Sequence, residues 1–223
     1  LNKQELINMF DYTLLKPTAT KDDITAFCNE TIENGFKTVF VNPYYVAHAH
    51  SLLSPHQIKV GVPIGFSLGG ATTHTKVEET KEAIKNGAEE IDMLINLGAL
   101  KSGDLDVVKY DIAEVVKASE GLTTKVIIET ALLTKEEKIA AANLIVGAGA
   151  DFVKTATGFN GGGATVEDVQ LLRSIVGEDF GVKAAGGVRT YEDAVNIVKA
   201  GANRIGTSGA IAIISGDTST ASY

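Results

Sequence analysis

Short apolar, β-branched runs recur along the chain, and stretches with helical spacing separate them. The runs are Asp11–Leu15, Lys37–Val41, Lys59–Ile64, Glu89–Ile95, Lys125–Thr130, Asp151–Lys154, Gly181–Gly187 and Asn203–Gly206. Their length and residue types predict strands. A glycine repeat marks where helices stop. Asn34-Gly35, Asn86-Gly87, Ala148-Gly149 and Ala200-Gly201 each close a helical pattern, and a strand-like run follows. Glycine just past a helix end relieves the left-handed backbone that closes it. Helix starts are marked too. Thr134 with Glu137 forms a capping box, Thr165/Asp168 and Thr190/Asp193 resemble one, and Asn42-Pro43 reads as an N-cap followed by proline.

Eight strands alternating with helices fit a closed (β/α)8 barrel or an open doubly wound sheet. The repeat glycines are spaced 52, 62 and 52 residues apart, about two βα units each. That regularity and the 223-residue length favour an α/β fold of the TIM-barrel type, a single domain over residues 1–223. Residues 215–223, small and polar, read as a flexible C-terminal tail ending in Tyr223.

Two lysines stand out against this pattern. Lys154 lies in Asp151-Phe-Val-Lys-Thr-Ala-Thr-Gly158, and Lys183 in Gly181-Val-Lys-Ala-Ala-Gly-Gly187. An ammonium loses hydration on burial, and burial or a second cation favours the neutral amine, a nucleophile toward carbonyls. Each lysine taken alone can instead snorkel to a strand end. Two in consecutive strands, each before a glycine-containing loop, point to Schiff-base chemistry. Strand parity adds an acid. In Glu90–Asn96, Ile91, Met93 and Ile95 share one face, so Asp92 shares the other with Leu94 and Asn96 and is expected in the barrel lumen. Lys183 is expected to lower the pKa of Lys154, and Asp92 to pair with Lys183 and carry protons. The bland alternative is a structural ion pair. Glu129 is a weaker second carboxylate.

Glycine-rich loops follow the last two strands: Ala185-Gly-Gly-Val-Arg-Thr190 and Gly206-Thr-Ser-Gly-Ala210. They lead into helix N-termini, where backbone N–H groups hold anions, and loops in these positions are the usual phosphate grip of the barrel. Gly158–Gly163 is a third glycine loop, and it lacks the Gly-Lys-Ser/Thr of a P-loop. Tight βα turns alone also need glycine.

Composition narrows the class. With 44% hydrophobic residues the composition reads as that of an ordinary globular protein, and a net charge of −8 argues against a nucleic-acid binder driven by phosphate contacts. The single cysteine, Cys28, leaves no internal disulfide, and the four histidines show no metal spacing, so no metal site is expected. No stretch has the length of a membrane span, and Leu1–Asn8 lacks a signal-peptide core. A cytoplasmic protein is the expectation, with no membrane partner.

At these residues the chain resembles the deoxyribose-phosphate aldolase family. Asp11-Tyr-Thr-Leu-Leu-Lys-Pro17, Glu90–Asn96, Val126-Ile-Ile-Glu-Thr130, Phe152–Gly158, Val182–Thr190 and Arg204-Ile-Gly-Thr-Ser208 carry the likeness over nearly the whole length. The two lysine motifs together are highly specific. The resemblance implies reversible cleavage of 2-deoxy-D-ribose 5-phosphate to D-glyceraldehyde 3-phosphate and acetaldehyde. It implies Lys154 as the Schiff-base lysine, Lys183 and Asp92 as the proton-transfer pair, and substrate contacts at Gly186, Gly187, Ser208, Gly209 and Thr13. No metal or organic cofactor enters, because the iminium is the electron sink. The partners would be a phosphorylated sugar and aldehydes, in a homodimer or higher homo-oligomer. The chain departs from the family at Tyr12, where many members have His, at Phe40, where many have Cys, and at Phe159, where some have Lys. Two rivals stay open: another Schiff-base barrel acting on a different sugar phosphate, and a non-catalytic sugar-phosphate-binding barrel.

Overall fold

The β-branched runs form eight parallel strands: β1 (Phe10–Leu14), β2 (Thr38–Val41), β3 (Lys59–Ile64), β4 (Glu90–Leu94), β5 (Thr123–Ile127), β6 (Phe152–Lys154), β7 (Gly181–Ala185) and β8 (Arg204–Thr207). In the computed structural model, which describes residues 1–221, they hydrogen-bond in chain order and close on themselves. The closing pair aligns Phe10 with Ile205 and Asp11 with Gly206. The open-sheet alternative is thereby excluded. Around the barrel run α1 (Lys3–Met9), α2 (Lys21–Asn34), α3 (Val46–Leu53), α4 (Thr73–Lys85), α5 (Leu97–Lys101), α6 (Leu105–Ala118), α7 (Lys135–Gly147), α8 (Val166–Val176), α9 (Tyr191–Lys199) and α10 (Ala210–Ser215). Among the described residues no helix is long and apolar enough to cross a membrane.

The strand period of two divides the strands between two cores. Val39, Val60, Val62, Ile91, Met93, Val126, Val153, Val182 and Ile205 are fully buried in the apolar cluster that includes the helix-borne Ile24, Leu53, Ile112, Ile145 and Leu172. The alternate positions face the lumen, where the core is polar.

The repeat glycines behave as expected, with φ of +74° at Gly35, +106° at Gly87, +83° at Gly149 and +119° at Gly201. Thr134 and Thr190 complete capping boxes, and the Thr165 hydroxyl accepts the Asp168 N–H. Asn42 does not cap: its side chain donates to the Leu15 carbonyl at 3.1 Å, and Pro43–Tyr45 is a 3-10 turn. The fifth strand begins earlier than the apolar pattern suggests and ends at Ile127. Glu129 adopts a left-handed backbone, φ +55°, that no strand continues through. Beyond α10 the chain expected as a flexible tail is docked over its described part. The Ser219 N–H donates to the Arg189 carbonyl at 2.8 Å, and its side chain seats against Gly209, where a Cβ would stand 1.9 Å from the serine Oγ. Tyr223 lies outside the described residues.

Candidate active site

Among the described residues, barrel closure brings seven charged side chains into the lumen. Cross-strand register sets Asp92 beside Lys125, Lys154 beside Lys183, and Lys183 beside Arg204. Asp92, fully buried, is the hub. Its Oδ2 accepts from Lys154 Nζ at 2.9 Å and from Lys183 Nζ at 2.7 Å, and its Oδ1 accepts from Lys125 Nζ at 3.0 Å. The expected Lys154–Asp92–Lys183 grouping is therefore present as one hydrogen-bonded unit. A second anion, Asp11 on β1, stands 2.5 Å from Lys183 Nζ and 3.8 Å from Lys125 Nζ. Arg204 on β8 pairs with Asp11 and, at 2.9 Å, with Glu90, and Glu90 also pairs with Lys125.

Four of these groups were not singled out from the sequence: Asp11, Glu90, Lys125 and Arg204. The signal was available in parity, since Glu90 is two residues from Asp92. At the first residue of a strand, however, a charge looks like an ordinary solvated end.

Phe40 floors the cluster. The ring centroid lies 3.8 Å from Lys183 Nζ, 4.8 Å from Lys125 Nζ and 5.7 Å from Lys154 Nζ, cation–π distances all. Gly61 makes room for the ring, because a Cβ there would stand 2.3 Å from it. Tyr12, another departure from the family, faces outward, donates to Glu30 at 3.0 Å and packs on Phe27 and Phe36.

The electrostatics follow from this crowding. Four cations meet three carboxylates, and the carboxylates, Lys125 and Lys183 are buried away from water. Burial alone would raise the pKa of Asp92. Lys125, Lys154 and Lys183 outweigh burial and hold its carboxyl well below the usual carboxylate range. Asp11 is held down the same way, against its burial, by Lys183, Lys125 and Arg204. For Lys183 burial prevails over Asp11 and Asp92, with help from the Lys154 and Lys125 cations, and the amine is pushed down to about 8. Lys125 is also buried, but Asp92, Asp11 and Glu90 push it up to about 12. Access separates the lysines further. The Lys154 side chain keeps 7% of its surface in solvent, Lys183 1% and Lys125 none. Among these three, Lys154 is the amine a substrate entering from the mouth meets first.

At the same end of the barrel lies a pocket of about 130 Å³ lined by Gly158, Gly162, Gly186, Gly187, Ser208 and neighbours. Gly186 and Gly187 take φ of +76° and +78°, a left-handed pair that a side chain would strain. The third glycine loop belongs to this same pocket: a Cβ on Gly163 would stand 2.7 Å from the Gly186 carbonyl carbon. Ser208 also faces an adjoining groove that Thr13 and Lys16 line. Gly209 sits behind Ser208, under the docked Ser219, so it acts as a seat for the tail rather than a wall of the pocket.

The family model for DeoC/LacD aldolases matches residues 6–214. The chain belongs to the DeoC/LacD aldolase family. Among curated relatives, deoxyribose-phosphate aldolase 2 of Oceanobacillus iheyensis is 66% identical over 223 residues, the full length of both chains. The deoxyribose-phosphate aldolase of Thermococcus kodakarensis is 55% identical over 220 residues, 97% of this chain and 98% of that one. The fold superposes on a deoxyribose phosphate aldolase from Aeropyrum pernix, described as tetrameric, with a TM-score of 0.90 and 33% identity over 96% of this chain and 91% of that one. The family is that expected from the lysine motifs, and the closed barrel is its fold. This chain is an aldolase and hence a lyase.

Proposed function

We propose that this aldolase cleaves 2-deoxy-D-ribose 5-phosphate reversibly to D-glyceraldehyde 3-phosphate and acetaldehyde, with Lys154 as the Schiff-base lysine. The carrying observation is the shared Asp92 carboxylate: one oxygen accepts from the solvent-touched Lys154 and the dry Lys183 together. Lys154 must lose a proton before it attacks. Asp92 offers a path for that proton toward Lys183, whose amine titrates near neutrality. The amine adds to the sugar aldehyde, and loss of water leaves an iminium. The bond between the second and third sugar carbons then breaks, its electrons pass to the iminium, and the third-carbon hydroxyl gives its proton to the Asp92–Lys183 relay, directly or through a water, as it becomes the glyceraldehyde 3-phosphate carbonyl. The enamine left on Lys154 takes a proton at carbon, relayed from Lys183 through Asp92 or a water, and hydrolysis frees acetaldehyde and the lysine.

The glycine pocket beside Gly186, Gly187 and Ser208 takes the 5-phosphate, with Thr13 lining the groove that adjoins it at Ser208 and Gly209 next to Ser208 under the tail. Seating a small anion on backbone N–H groups suits an acidic protein that must admit one phosphate without attracting polyanions. We also propose a homo-oligomeric assembly, in keeping with the tetrameric relative, and a cytoplasmic location. Incubation with acetaldehyde and borohydride followed by peptide mass spectrometry tests the mechanism. An ethyl group on Lys154 is expected. Modification confined to other lysines, or none, refutes the assignment.

A further inference from the structure

Glu129 is a fully buried carboxylate with a left-handed backbone, just past the end of β5. Among the described residues no lysine, arginine or histidine forms an ion pair with it. Its acceptors are filled instead by neutral donors from one loop. Oε1 accepts the Thr157 N–H at 3.0 Å, and Oε2 accepts the Thr157 hydroxyl at 2.5 Å and Asn160 Nδ2 at 2.9 Å. A buried anion is costly to retain, and a neutral threonine or asparagine at this turn would satisfy the same backbone more cheaply. What the charge adds is three strengthened hydrogen bonds converging on a single segment.

That segment runs from the nucleophile to the phosphate pocket. Lys154 ends β6, Thr157 follows three residues later, and Gly158 and Gly162 line the pocket. Downstream, the Ala164 N–H is shared between the Ala185 and Gly186 carbonyls at 3.1 and 3.0 Å, tying the far end of the loop to the Gly186–Gly187 turn. The near end is tied across the barrel mouth. Asn160 Nδ2 also donates to the Ser67 carbonyl at 2.7 Å, and Phe159 packs edge-on against Phe66 with ring centroids 5.2 Å apart. Glu129 is the common anchor of the Thr157–Asn160 stretch, the span that sets how far the reacting amine stands from the bound phosphate.

We propose that Glu129 is a positioning residue that fixes the distance between the Lys154 amine and the phosphate pocket, and thereby makes the enzyme select phosphorylated over unphosphorylated hydroxyaldehydes. The proposal rests on the aldolase reading above. An aldehyde without phosphate uses only the amine end of the span, so it is indifferent to the spacing. A substrate held at both ends is not.

The test compares wild type, Glu129→Gln, Glu129→Leu and Asn160→Ala on 2-deoxyribose 5-phosphate and on 2-deoxyribose. The expected result is a fall in the ratio of kcat/KM values (phosphorylated over unphosphorylated) on the order of tenfold in Glu129→Gln, the worth of one charge-assisted hydrogen bond. The fall should appear in KM for the phosphorylated sugar. Glu129→Leu should lose more, since glutamine still accepts the Thr157 N–H and leucine accepts nothing. Asn160→Ala removes one donor from a partly exposed side chain, and should lower the ratio in the same direction even if the Glu129 variants fail to fold. A ratio within about twofold of wild type in every folded variant, or equal losses on both sugars, overturns the proposal. Borohydride trapping of acetaldehyde on the wild-type protein separates the two levels. Absence of a Lys154 adduct there refutes the Schiff-base reading, whereas an adduct with an unchanged ratio refutes the role of Glu129 alone.

Discussion

Lys183→Met replaces a buried ammonium with an apolar chain of similar length. In the folded protein the Lys183 amine sits near 8, against 10.5 for an ordinary lysine. Between those two values the unfolded chain holds a proton that the folded chain has released. Stability therefore rises with pH across that window, because the unfolded state binds more protons there. The gain is about 1.4 kcal/mol for each pH step, or roughly 3 kcal/mol across the window, relative to neutral pH. Lys125, pushed up to about 12, acts oppositely but mostly above 10.5, so the two contributions separate. The substitution also takes the cluster from four cations to three against three carboxylates, and it leaves Asp11 paired with Arg204 and Asp92 paired with Lys125 and Lys154. Urea unfolding at steps from pH 7 to 10 should show wild type gaining stability over the variant as pH rises. In steady-state assays the wild-type rate should fall as pH passes about 8, where Lys183 loses the proton that the proposed relay requires. The variant should lack that limb and turn over about 10²–10⁴-fold more slowly. Equal pH dependence of stability in the two proteins would refute the burial argument. Near-normal turnover with the same basic limb would refute the proton-transfer role.

Lys125→Met should destabilise by about 3–5 kcal/mol in denaturant titrations, since Glu90 and Asp92 lose a buried partner that water cannot replace. Phe40→Ala should cost about 3–5 kcal/mol by the same measurement, and it removes the ring that faces three ammonium groups. Gly187→Asp places a carboxylate at a left-handed position lining the glycine pocket proposed to take the phosphate. It should raise KM for 2-deoxyribose 5-phosphate far more than for 2-deoxyribose, and equal effects on both would place the phosphate elsewhere.

The linear pattern of residues determined the architecture and the heart of the site. Glycines at 35, 87, 149 and 201 mark helix ends because only a residue without a Cβ enters that backbone conformation freely. Parity placed Asp92 inward because strand side chains alternate whatever the tertiary context. An apolar setting marked Lys154 and Lys183 because an ammonium there is out of place. Tertiary structure alone decided which charges meet. Asp11 and Arg204 are 193 residues apart and touch only because β8 closes on β1. Glu90 opens β4 and Lys125 opens the apolar run read for β5, places where a charge is usually solvated, and barrel closure is what takes the water away. The same closure explains why neighbouring lysines diverge, Lys183 falling to about 8 and Lys125 rising to about 12. Burial and the number of nearby carboxylates set those values, and neither quantity exists until the strands have closed into a ring.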